Sequence, residues 1–426
     1  MIKQEIVDRI ISDVSILDVA EDEGIKFSAK KGNRHWACCP FHNENTPSFY
    51  VDTGTNCWRC FGSCRSGGNV ISLYRKLKNG LPFPIACKEL AKKYLNEEIE
   101  DEWRPSKEEE EKQKEQESLR IALSYAQSYF TECIQEVNPA AIKAREAVCK
   151  RWGKDAIGTF GIGYAPVEGF IAWAKHKGLD FDILEQVGLI GTGERGMFPM
   201  LRDRYTIPIY DKMSRVIGFT ARTMSDNKDV CKYLNLKNSL VYRKDTSVFG
   251  INFAQKEARQ RDKFYLVEGA PDVLKLQSIG ILNTVASLGG SWTENQLKQL
   301  YRISKRVTFI PDADELKSGN EFPAGTANVF ANGRAALKVG FTVNVREIPI
   351  DYPAPKKEDP DSWIIDKGHF SQMREEEFVF WYCRRRYWAS PEDIEDLTTE
   401  DRLEAISDIC SLLMMIRDED LQNSYL

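Results

Sequence analysis

The strongest constraint on this chain comes from three acidic sequences, two of which directly follow a short apolar run. They read Phe264-Tyr-Leu-Val-Glu268-Gly-Ala-Pro-Asp272, Val307-Thr-Phe-Ile-Pro-Asp312-Ala-Asp314 and Glu358-Asp-Pro-Asp361. Short apolar runs of this kind are typical of buried parallel strands. Ligands in open α/β sheets gather outside the carboxyl ends of such strands. We therefore expect the carboxylates to meet at one edge of one sheet.

Carboxylates that lie close together repel one another, and a divalent cation stabilises them. Magnesium prefers one or two carboxylates together with water and substrate phosphates, so the pattern indicates chemistry on phosphate. A single acid at a strand end is usually a solvated loop residue or a helix N-cap. Three acidic groups in strand order favour a metal site over that alternative.

Soft metal ligands are concentrated near the amino terminus, where five of the 11 cysteines fall between positions 38 and 64. The candidates are Cys38, Cys39, His42, Cys57, Cys60 and Cys64. Two knuckles of this kind across a short loop supply the four groups of a tetrahedral zinc site. Generic zinc spacing favours Cys57 and Cys60 as the second pair, and Cys60 with Cys64 is the alternative. A disulfide framework is not expected in so large a chain without a signal peptide.

Aromatic and basic side chains surround these candidate ligands. They are Trp36, Phe41, Phe49, Tyr50, Trp58, Arg59, Phe61 and Arg65. Bases stack on exposed rings while cations follow the phosphate backbone, so the region is a candidate reader of single-stranded DNA. The same rings also serve to fill the core of a small zinc domain, and the sequence leaves both roles open.

Charge is unevenly distributed along the chain, whose net charge is −5. Residues 97–117 carry 11 acids and 4 bases, whereas residues 202–263 carry 14 bases and 7 acids. The acidic run lacks apolar periodicity and predicts a linker or a solvated helix start. The basic region provides a local positive field that attracts phosphate backbones. No apolar run approaches the ~18 residues of a membrane span, and we expect a cytoplasmic protein.

The acidic motifs resemble those of a known family of domains. Two motifs, Glu268-Gly-x-x-Asp272 and Asp312-x-Asp314, resemble the signatures of the Toprim domain. The third, Asp359-Pro-Asp361, resembles the third acidic element of DnaG-type primases. The sequence around Cys60 and Cys64 resembles the CHC zinc ribbon of the same primases, with one additional residue, Ser63, in the second knuckle. This resemblance favours one set of zinc ligands: Cys39, His42, Cys60 and Cys64.

The region between the ribbon and the acids is similar to the basic ridge of these primases. Phe160-Gly-Ile-Gly-Tyr-Ala-Pro166 resembles the opening of their catalytic core, and residues 204–222 alternate like a hairpin. The candidate residues for binding nucleic acid or nucleotide are Arg151, Arg204, Arg222, Lys232, Tyr233, Asn235 and Lys244. In such primases the ridge binds template and nucleotide phosphates, a role that Arg and Lys suit by charge and geometry.

The resemblance implies a DNA primase that makes short RNA primers on single-stranded DNA from ribonucleoside triphosphates. It implies one structural zinc ion and two catalytic magnesium or manganese ions. The catalytic candidates are Glu268, Asp312 and Asp314, and the candidate magnesium ligands are Glu268, Asp272, Asp312, Asp314, Asp359 and Asp361. Asp272 is equally expected to cap the next helix. We expect a monomer, and a replicative helicase is an implied partner, although no segment resembles the family's helicase-docking domain.

The expected fold is α+β and multidomain. It has a small zinc ribbon, a mixed α/β RNA-polymerase core with a Rossmann-like parallel Toprim sheet, and a helical carboxy-terminal segment. The expected divisions are 1–100 for the zinc domain, 101–120 for a charged linker, 121–257 for the basic subdomain, 258–366 for Toprim and 367–426 for the helical segment. Residues 315–325 look like an insertion after Asp314 that lengthens a surface loop.

Three other functions remain open at this point. A Toprim nuclease would cut DNA without nucleotides. A topoisomerase would need a nucleophilic tyrosine in a separate strand-passage domain, and no region is large enough for one. A single-stranded-DNA-binding accessory protein of a mobile element or phage would keep the acids for structure, so its DNA binding would survive the loss of Asp312.

Overall fold

The protein divides into two compact units, residues 1–111 and residues 112–426. A computed structural model describes residues 2, 4–42, 44, 46–62, 64, 66–78, 80–99, 107–194, 196–227, 229–387, 397–416 and 422. The first part of the expected charged linker, residues 101–106, lies outside these described residues. Among the residues that the structure describes, no helix is both long enough and apolar enough to span a membrane.

The first unit is a five-stranded antiparallel sheet, in the order β1-β2-β3-β4-β5, packed with short helices. Its strands are β1 (Ala29–Lys31), β2 (Arg34–Ala37), β3 (Phe49–Asp52), β4 (Cys57–Cys60) and β5 (Gly67–Asn69). Its helices are α1 (Gln4–Asp13), α2 (Ile16–Asp22), α3 (Val70–Leu77) and α4 (Phe83–Leu90), followed by a π-helical turn at Ala91–Leu95. Phe49, Trp58 and Leu73 belong to one buried core.

The second unit begins with helices and a small sheet. Its helices before the acidic motifs are α5 (Lys107–Cys133), α6 (Pro139–Trp152), α7 (Ala156–Phe160), α8 (Phe170–His176), α9 (Phe181–Gln186) and α10 (Ile251–Arg261). Its strands here are β6 (Gly163–Ala165), β7 (Ile190–Gly193), β8 (Gly196–Pro199), β9 (Arg204–Tyr210), β10 (Val216–Thr223) and β11 (Tyr233–Asn235). Strands β9 and β10 form the expected hairpin, in a sheet ordered β11-β10-β9-β6.

A second five-stranded sheet carries the acidic motifs. Its strands are β12 (Phe264–Val267), β13 (Thr284–Ala286), β14 (Arg306–Phe309), β15 (Thr342–Arg346) and β16 (Glu375–Glu377), in the order β13-β12-β14-β15-β16. The first four are parallel, and β16 is antiparallel at the edge. Within its described residues this region also has the helices α11 (Ala270–Ser278), α12 (Glu294–Tyr301), α13 (Ala324–Val339), α14 (Pro360–Trp363), α15 (Lys367–Gln372), α16 (Phe378–Arg386) and α17 (Thr399–Leu413).

The expected α+β architecture, with a zinc ribbon, a core containing a Toprim sheet and carboxy-terminal helices, is confirmed. Helices α1 and α2 are separate, and the Ser15 side chain caps α2 by accepting from the backbone N–H of Asp18. Helices α3 and α4 are likewise separate, and Pro82 is the N-cap of α4. One local expectation differs from the structure. The helical region after residue 370 contains β16, which pairs with β15.

Candidate metal centres and nucleic-acid surface

The first unit brings four soft ligands together. One ligand atom from each of Cys39, His42, Cys60 and Cys64 lies within 4.8 Å of all the others. The sulfur atoms of Cys39 and Cys64 are 3.7 Å apart. Zn–S bonds of about 2.3 Å in a tetrahedron place two sulfurs about 3.8 Å apart, so this pair has the separation that zinc requires.

The histidine of this group is oriented by an acid. His42 Nε2 lies 2.7 Å from Glu44 Oε2, while His42 Nδ1 is buried without a hydrogen-bond partner in the described structure. Glu44 is fixed in turn because its Oε1 accepts from the backbone N–H of Cys39 at 2.7 Å. A carboxylate on one ring nitrogen leaves the other as the ligand atom, which is how metal-binding histidines are usually held. The residues therefore fit a zinc ion.

Cys57, the alternative ligand, lies on the other face of strand β4. Burial alternates along this strand, so that Cys57 and Arg59 are exposed whereas Trp58 and Cys60 are buried. Successive side chains of a strand point to opposite faces. Two cysteines three positions apart in one strand therefore cannot both face the same ion.

Glu268 and Asp312 follow the neighbouring parallel strands β12 and β14, where their motifs predict them. Glu268 Oε1 and Asp312 Oδ1 are both buried and have no hydrogen-bond partner among the described residues. Burial and the nearby charge of Asp312 raise the pKa of Glu268 to about 7. Burial raises the pKa of Asp312 to about 6, against the effect of Lys357. Unpartnered, buried carboxylate oxygens at a strand edge fit a divalent cation.

Asp314 is held by the start of the next helix and by a lysine. Its Oδ2 accepts from the backbone N–H of Gly325 at 2.9 Å, and its Oδ1 lies 2.7 Å from Lys357 Nζ. A Cβ at Gly325 would meet the carbonyl oxygen of Asp312 at 2.3 Å. Only glycine allows α13 to approach the acidic loop this closely.

Asp272 and Asp361 lie together in a second, buried group. Asp272 is 5% exposed and accepts from the backbone N–H groups of Gly269 and Asp361, each at 3.1 Å. Burial raises the pKa of Asp272 well above its usual range. The carboxylate of Asp361 forms an ion pair with Arg151 and accepts from Trp152 Nε1 at 2.6 Å. Both residues thus have local partners that a magnesium ligand would have to give up.

Asp359, the remaining acidic candidate, caps helix α14. Its Oδ1 accepts from the backbone N–H of Ser362 at 2.7 Å. The loop that contains it is joined to the loop after β14, because the backbones of Ala313 and Glu358 exchange two hydrogen bonds of 2.8 and 2.9 Å. The third acidic motif is thereby fixed beside the second.

The basic ridge residues fall into two groups. Arg204 is 7% exposed, and its guanidinium donates to the backbone carbonyls of Ala221 and Cys231 at 3.2 and 3.0 Å. Arg151 donates to the hydroxyls of Tyr205 and Tyr233 at 2.9 and 3.0 Å. These contacts connect strands and helices of the second unit. In these contacts the guanidinium groups of Arg151 and Arg204, which the sequence suggests as phosphate donors, donate to oxygens of the protein itself.

Arg222 and Lys232 line a groove of about 540 Å³. Other residues of the groove include Lys143, Thr223, Met224 and Cys231. Arg222 Nε and Asn235 Oδ1 are both buried without a hydrogen-bond partner in the described structure. Lys244 is exposed. The groove thus combines the cationic side chains of Lys143, Arg222 and Lys232 with one acid, Asp226.

The sequence did not single out four residues that shape these sites: Glu44, Trp152, Gly325 and Lys357. Glu44 stands two positions after a candidate ligand, which is a signal that sequence reading could have used. Trp152 is adjacent to Arg151 but reaches an acid 209 residues away, so only the fold reveals it. Lys357 precedes an acidic motif in a loop, where a lysine is ordinarily solvated.

Comparison with known families places these sites in context. Three family models match in order: the CHC2 zinc finger at residues 2–105, the N-terminal domain of the DNA primase catalytic core at 140–255, and a Toprim-like domain at 265–364. A zinc ribbon followed by a primase catalytic core and a Toprim-like domain defines the class of protein. Within that class, the chain belongs to the DnaG-type primase family.

Individual relatives agree with this assignment. The DNA primase of Clostridium acetobutylicum is 30% identical over 378 residues, which are 88% of this chain and 59% of the relative. The chain thus spans less than two thirds of that protein. The zinc-binding and RNA polymerase domains of Aquifex aeolicus primase match with a TM-score of 0.58 and 26% identity, over 98% of this chain and 94% of that one. A DnaG primase catalytic domain bound to ssDNA shares the fold, with a TM-score of 0.59 and 24% identity over 73% and 96%.

Proposed function

We propose that the protein is a DNA primase. It synthesises short RNA primers on single-stranded DNA from ribonucleoside triphosphates, by metal-dependent nucleotidyl transfer. The observation that carries the proposal is the pair of buried, unpartnered carboxylate oxygens on Glu268 and Asp312, at adjacent strand ends of a Toprim sheet. Asp314 lies beside them through the shared contact of Asp312 and Asp314 with Lys357.

The acids at the strand ends would hold two magnesium or manganese ions. The ligands proposed first are Glu268, Asp312 and Asp314, and Asp272, Asp359 and Asp361 complete the set if their present partners release them. When bound, such ions lower the pKa of an attacking hydroxyl and neutralise the leaving pyrophosphate. Burial of the Glu268 and Asp312 carboxylates excludes water from their surroundings, which strengthens their interaction with a cation.

The groove beside strand β10 would hold phosphates of the template or nucleotide. Arg222 and Lys232 both line this groove. We propose that Lys244, Tyr233 and Asn235 extend this surface. Arg151 and Arg204 contribute by holding the ridge in shape, since their guanidinium groups bind protein oxygens. An Arg in a groove binds phosphate strongly because its planar donors match phosphate oxygens.

The zinc ribbon would hold template bases. Trp36 is paired with Tyr50 across β2 and β3, and Tyr50 is paired with Arg59 across β3 and β4. The ring of Phe61, which is 58% exposed, lies 6.4 Å from that of Trp36 and 5.8 Å from that of Tyr50. The guanidinium of Arg59 lies 5.4 Å from the centre of the Phe61 ring, and an exposed ring beside an arginine is typical of single-strand binding surfaces. The related DnaG catalytic domain bound to ssDNA also supports a single-stranded template.

Several finer expectations belong to the same proposal. One zinc ion is structural, the protein is a monomer, and a replicative helicase is a partner. The proposed domain divisions are those given above, at residues 100, 120, 257 and 366.

The decisive experiment is synthesis from labelled ribonucleotides on unprimed single-stranded DNA with magnesium or manganese. We compare the native protein with Asp312→Ala and with Asp182→Ala, which removes an exposed acid from helix α9. Short products that disappear only in Asp312→Ala support a primase that uses the acidic site. DNA cleavage without nucleotides would instead identify a nuclease. Tight DNA binding without any product, unchanged in Asp312→Ala, would identify an accessory protein.

A further inference from the structure

A lysine side chain lies between two of the proposed metal ligands. Lys357 Nζ is 2.8 Å from Asp312 Oδ2 and 2.7 Å from Asp314 Oδ1. The two carboxylates are nearly buried, with 9% and 12% of their side chains exposed, whereas 54% of the lysine side chain is exposed. One ammonium group thus bridges the two acids of the Asp312-x-Asp314 motif from the solvent side.

The backbone fixes this lysine over the acids. The next residue, Glu358, exchanges two backbone hydrogen bonds with Ala313, which stands between the two aspartates. The backbone N–H of Lys357 also donates to Glu315 Oε1 at 3.2 Å. Lys357 therefore starts from a position that is tied to the acidic loop on both sides. The neighbouring Lys356 points into solvent instead: its side chain is 82% exposed, and its Nζ lies 3.8 Å from a carboxylate oxygen of Glu358.

The ammonium group neutralises only part of the negative charge at the site. Glu268 Oε1 and Asp312 Oδ1 stay without a partner in the described structure. A divalent cation that takes the oxygens Asp312 Oδ2 and Asp314 Oδ1 is repelled by the ammonium group, which lies 2.8 and 2.7 Å from them. The exposed part of the lysine gives the ammonium a route into water.

We propose that Lys357 is a tethered counter-cation that competes with divalent metal for Asp312 and Asp314. It is a positioning residue: it keeps the two carboxylates together before metal arrives, and it sets the metal concentration at which the site fills. The inference rests on the proposed role of these acids as metal ligands. The apparent affinity of a site for metal falls when only a fraction of the molecules is in the state that can bind it. Lys357 lowers this fraction, because the acids are paired with its ammonium group in the other molecules.

The test is binding of Mn²⁺ alone, followed by electron paramagnetic resonance of the free ion, in the full chain with zinc bound. We compare Lys357→Met with Lys356→Met, which makes the same change of net charge one residue away, and with Lys357→Arg, which keeps the charge. We expect Lys357→Met to bind Mn²⁺ roughly 3- to 10-fold more tightly. We expect Lys356→Met to stay within about twofold of native and Lys357→Arg to resemble native.

A second readout concerns stability without metal. With zinc bound but without added Mn²⁺, Lys357→Met should unfold at a lower urea concentration than Lys356→Met. Added Mn²⁺ should remove this difference, because the metal then neutralises the acids. Unchanged or weaker Mn²⁺ binding in Lys357→Met, while the native protein binds the ion, overturns the inference and leaves the metal site intact. Absence of Mn²⁺ binding in both proteins overturns the proposed metal site as well.

Discussion

Arg151 and Asp361, which are 210 residues apart in sequence, form an ion pair that is largely shielded from solvent. Only 21% of the arginine side chain and 6% of the aspartate side chain are exposed. Arg151 Nε donates to Asp361 Oδ2 at 3.0 Å, and Trp152 Nε1 donates to the other oxygen. The pair joins helix α6 to the third acidic motif. It therefore connects the basic region with the Toprim region through one carboxylate.

Loss of Arg151 should destabilise the protein strongly. Arg151→Met leaves the Asp361 carboxylate buried without its cation, and breaking a buried pair in this way typically costs about 3–5 kcal/mol. Urea unfolding measures the change in the free energy of unfolding. Arg243→Met is the matched control, since Arg243 pairs with Asp245 on the surface and such pairs contribute about 0–1 kcal/mol. Equal effects of the two changes would show that burial of the Arg151 pair has no energetic role.

Zinc binding should depend on Cys60 and not on Cys57. Cys60→Ser removes one of four converging ligand atoms, so we expect loss of bound zinc and unfolding of the first unit's sheet. Cys57→Ser changes an exposed residue on the opposite face of β4 and should retain a full equivalent of zinc. Metal analysis of the purified variants measures both. Loss of zinc in Cys57→Ser would reassign the fourth ligand.

Stability without divalent metal should fall as the pH rises from about 4 to 7. The pKa of Glu268 is raised to about 7 and that of Asp312 to about 6, mainly by burial. In this range the folded protein holds protons that the unfolded chain has released, so raising the pH removes stability. Urea unfolding of the zinc-bound protein at several pH values, in buffer without magnesium or manganese, measures this slope. Glu268→Gln should flatten it, and an unchanged slope in that variant would contradict the assignment.

A side chain at Gly325 should disturb the acidic site. Gly325→Ala places a Cβ 2.3 Å from the Asp312 carbonyl oxygen, so either helix α13 or the acidic loop must shift. We expect a loss of about 1–3 kcal/mol in the free energy of unfolding, as for other overpacked positions. Mn²⁺ binding should weaken in the same variant. Gly158→Ala is the control, because nothing lies within 4 Å of its added Cβ and it stands in helix α7.

The ring of Phe61 should contribute to the binding of single-stranded DNA. Phe61→Ala removes an exposed ring beside Trp36 and Tyr50, and stacking of a base on such a ring contributes about 1–3 kcal/mol. Fluorescence anisotropy with a labelled oligonucleotide, at fixed salt, measures the affinity. Phe83→Ala, which removes a partly exposed ring in α4, should bind like the native protein. Similar losses in both variants would argue against a specific ring surface.

The sequence predicted the sheet edge well because strand ends and acids are local signals. The parallel pairing of β12 with β14 brings Glu268 close to Asp312, as the two apolar runs imply. The sequence predicted less well which side chains of the basic ridge face outward. Every residue of β9 from Arg204 to Ile209 is buried, so alternation along this strand cannot distinguish an inward arginine from an outward one. The partners of Asp361 depend on contacts across more than 200 residues, which no local pattern encodes.

The zinc ligands show a case in which the sequence contains more information than the spacing of its cysteines. Generic spacing favoured Cys57 and the family resemblance favoured Cys64, so spacing did not identify the set of residues that converges. Residues 57–60 form a strand, and assigning a strand to them is enough to place Cys57 and Cys60 on opposite faces. Local secondary structure therefore distinguishes the two ligand sets, whereas spacing does not.

The two backbone hydrogen bonds between Ala313 and Glu358 join the loop of the second acidic motif to the loop of the third. Residues 315–320 of the insertion are exposed and lie between these loops in sequence, so the insertion is free to vary in length while the joined loops stay in register. The amide hydrogens of Ala313 and Glu358 are protected by each other's carbonyl groups. They exchange with solvent when this pairing opens, so the second and third acidic motifs share one opening event.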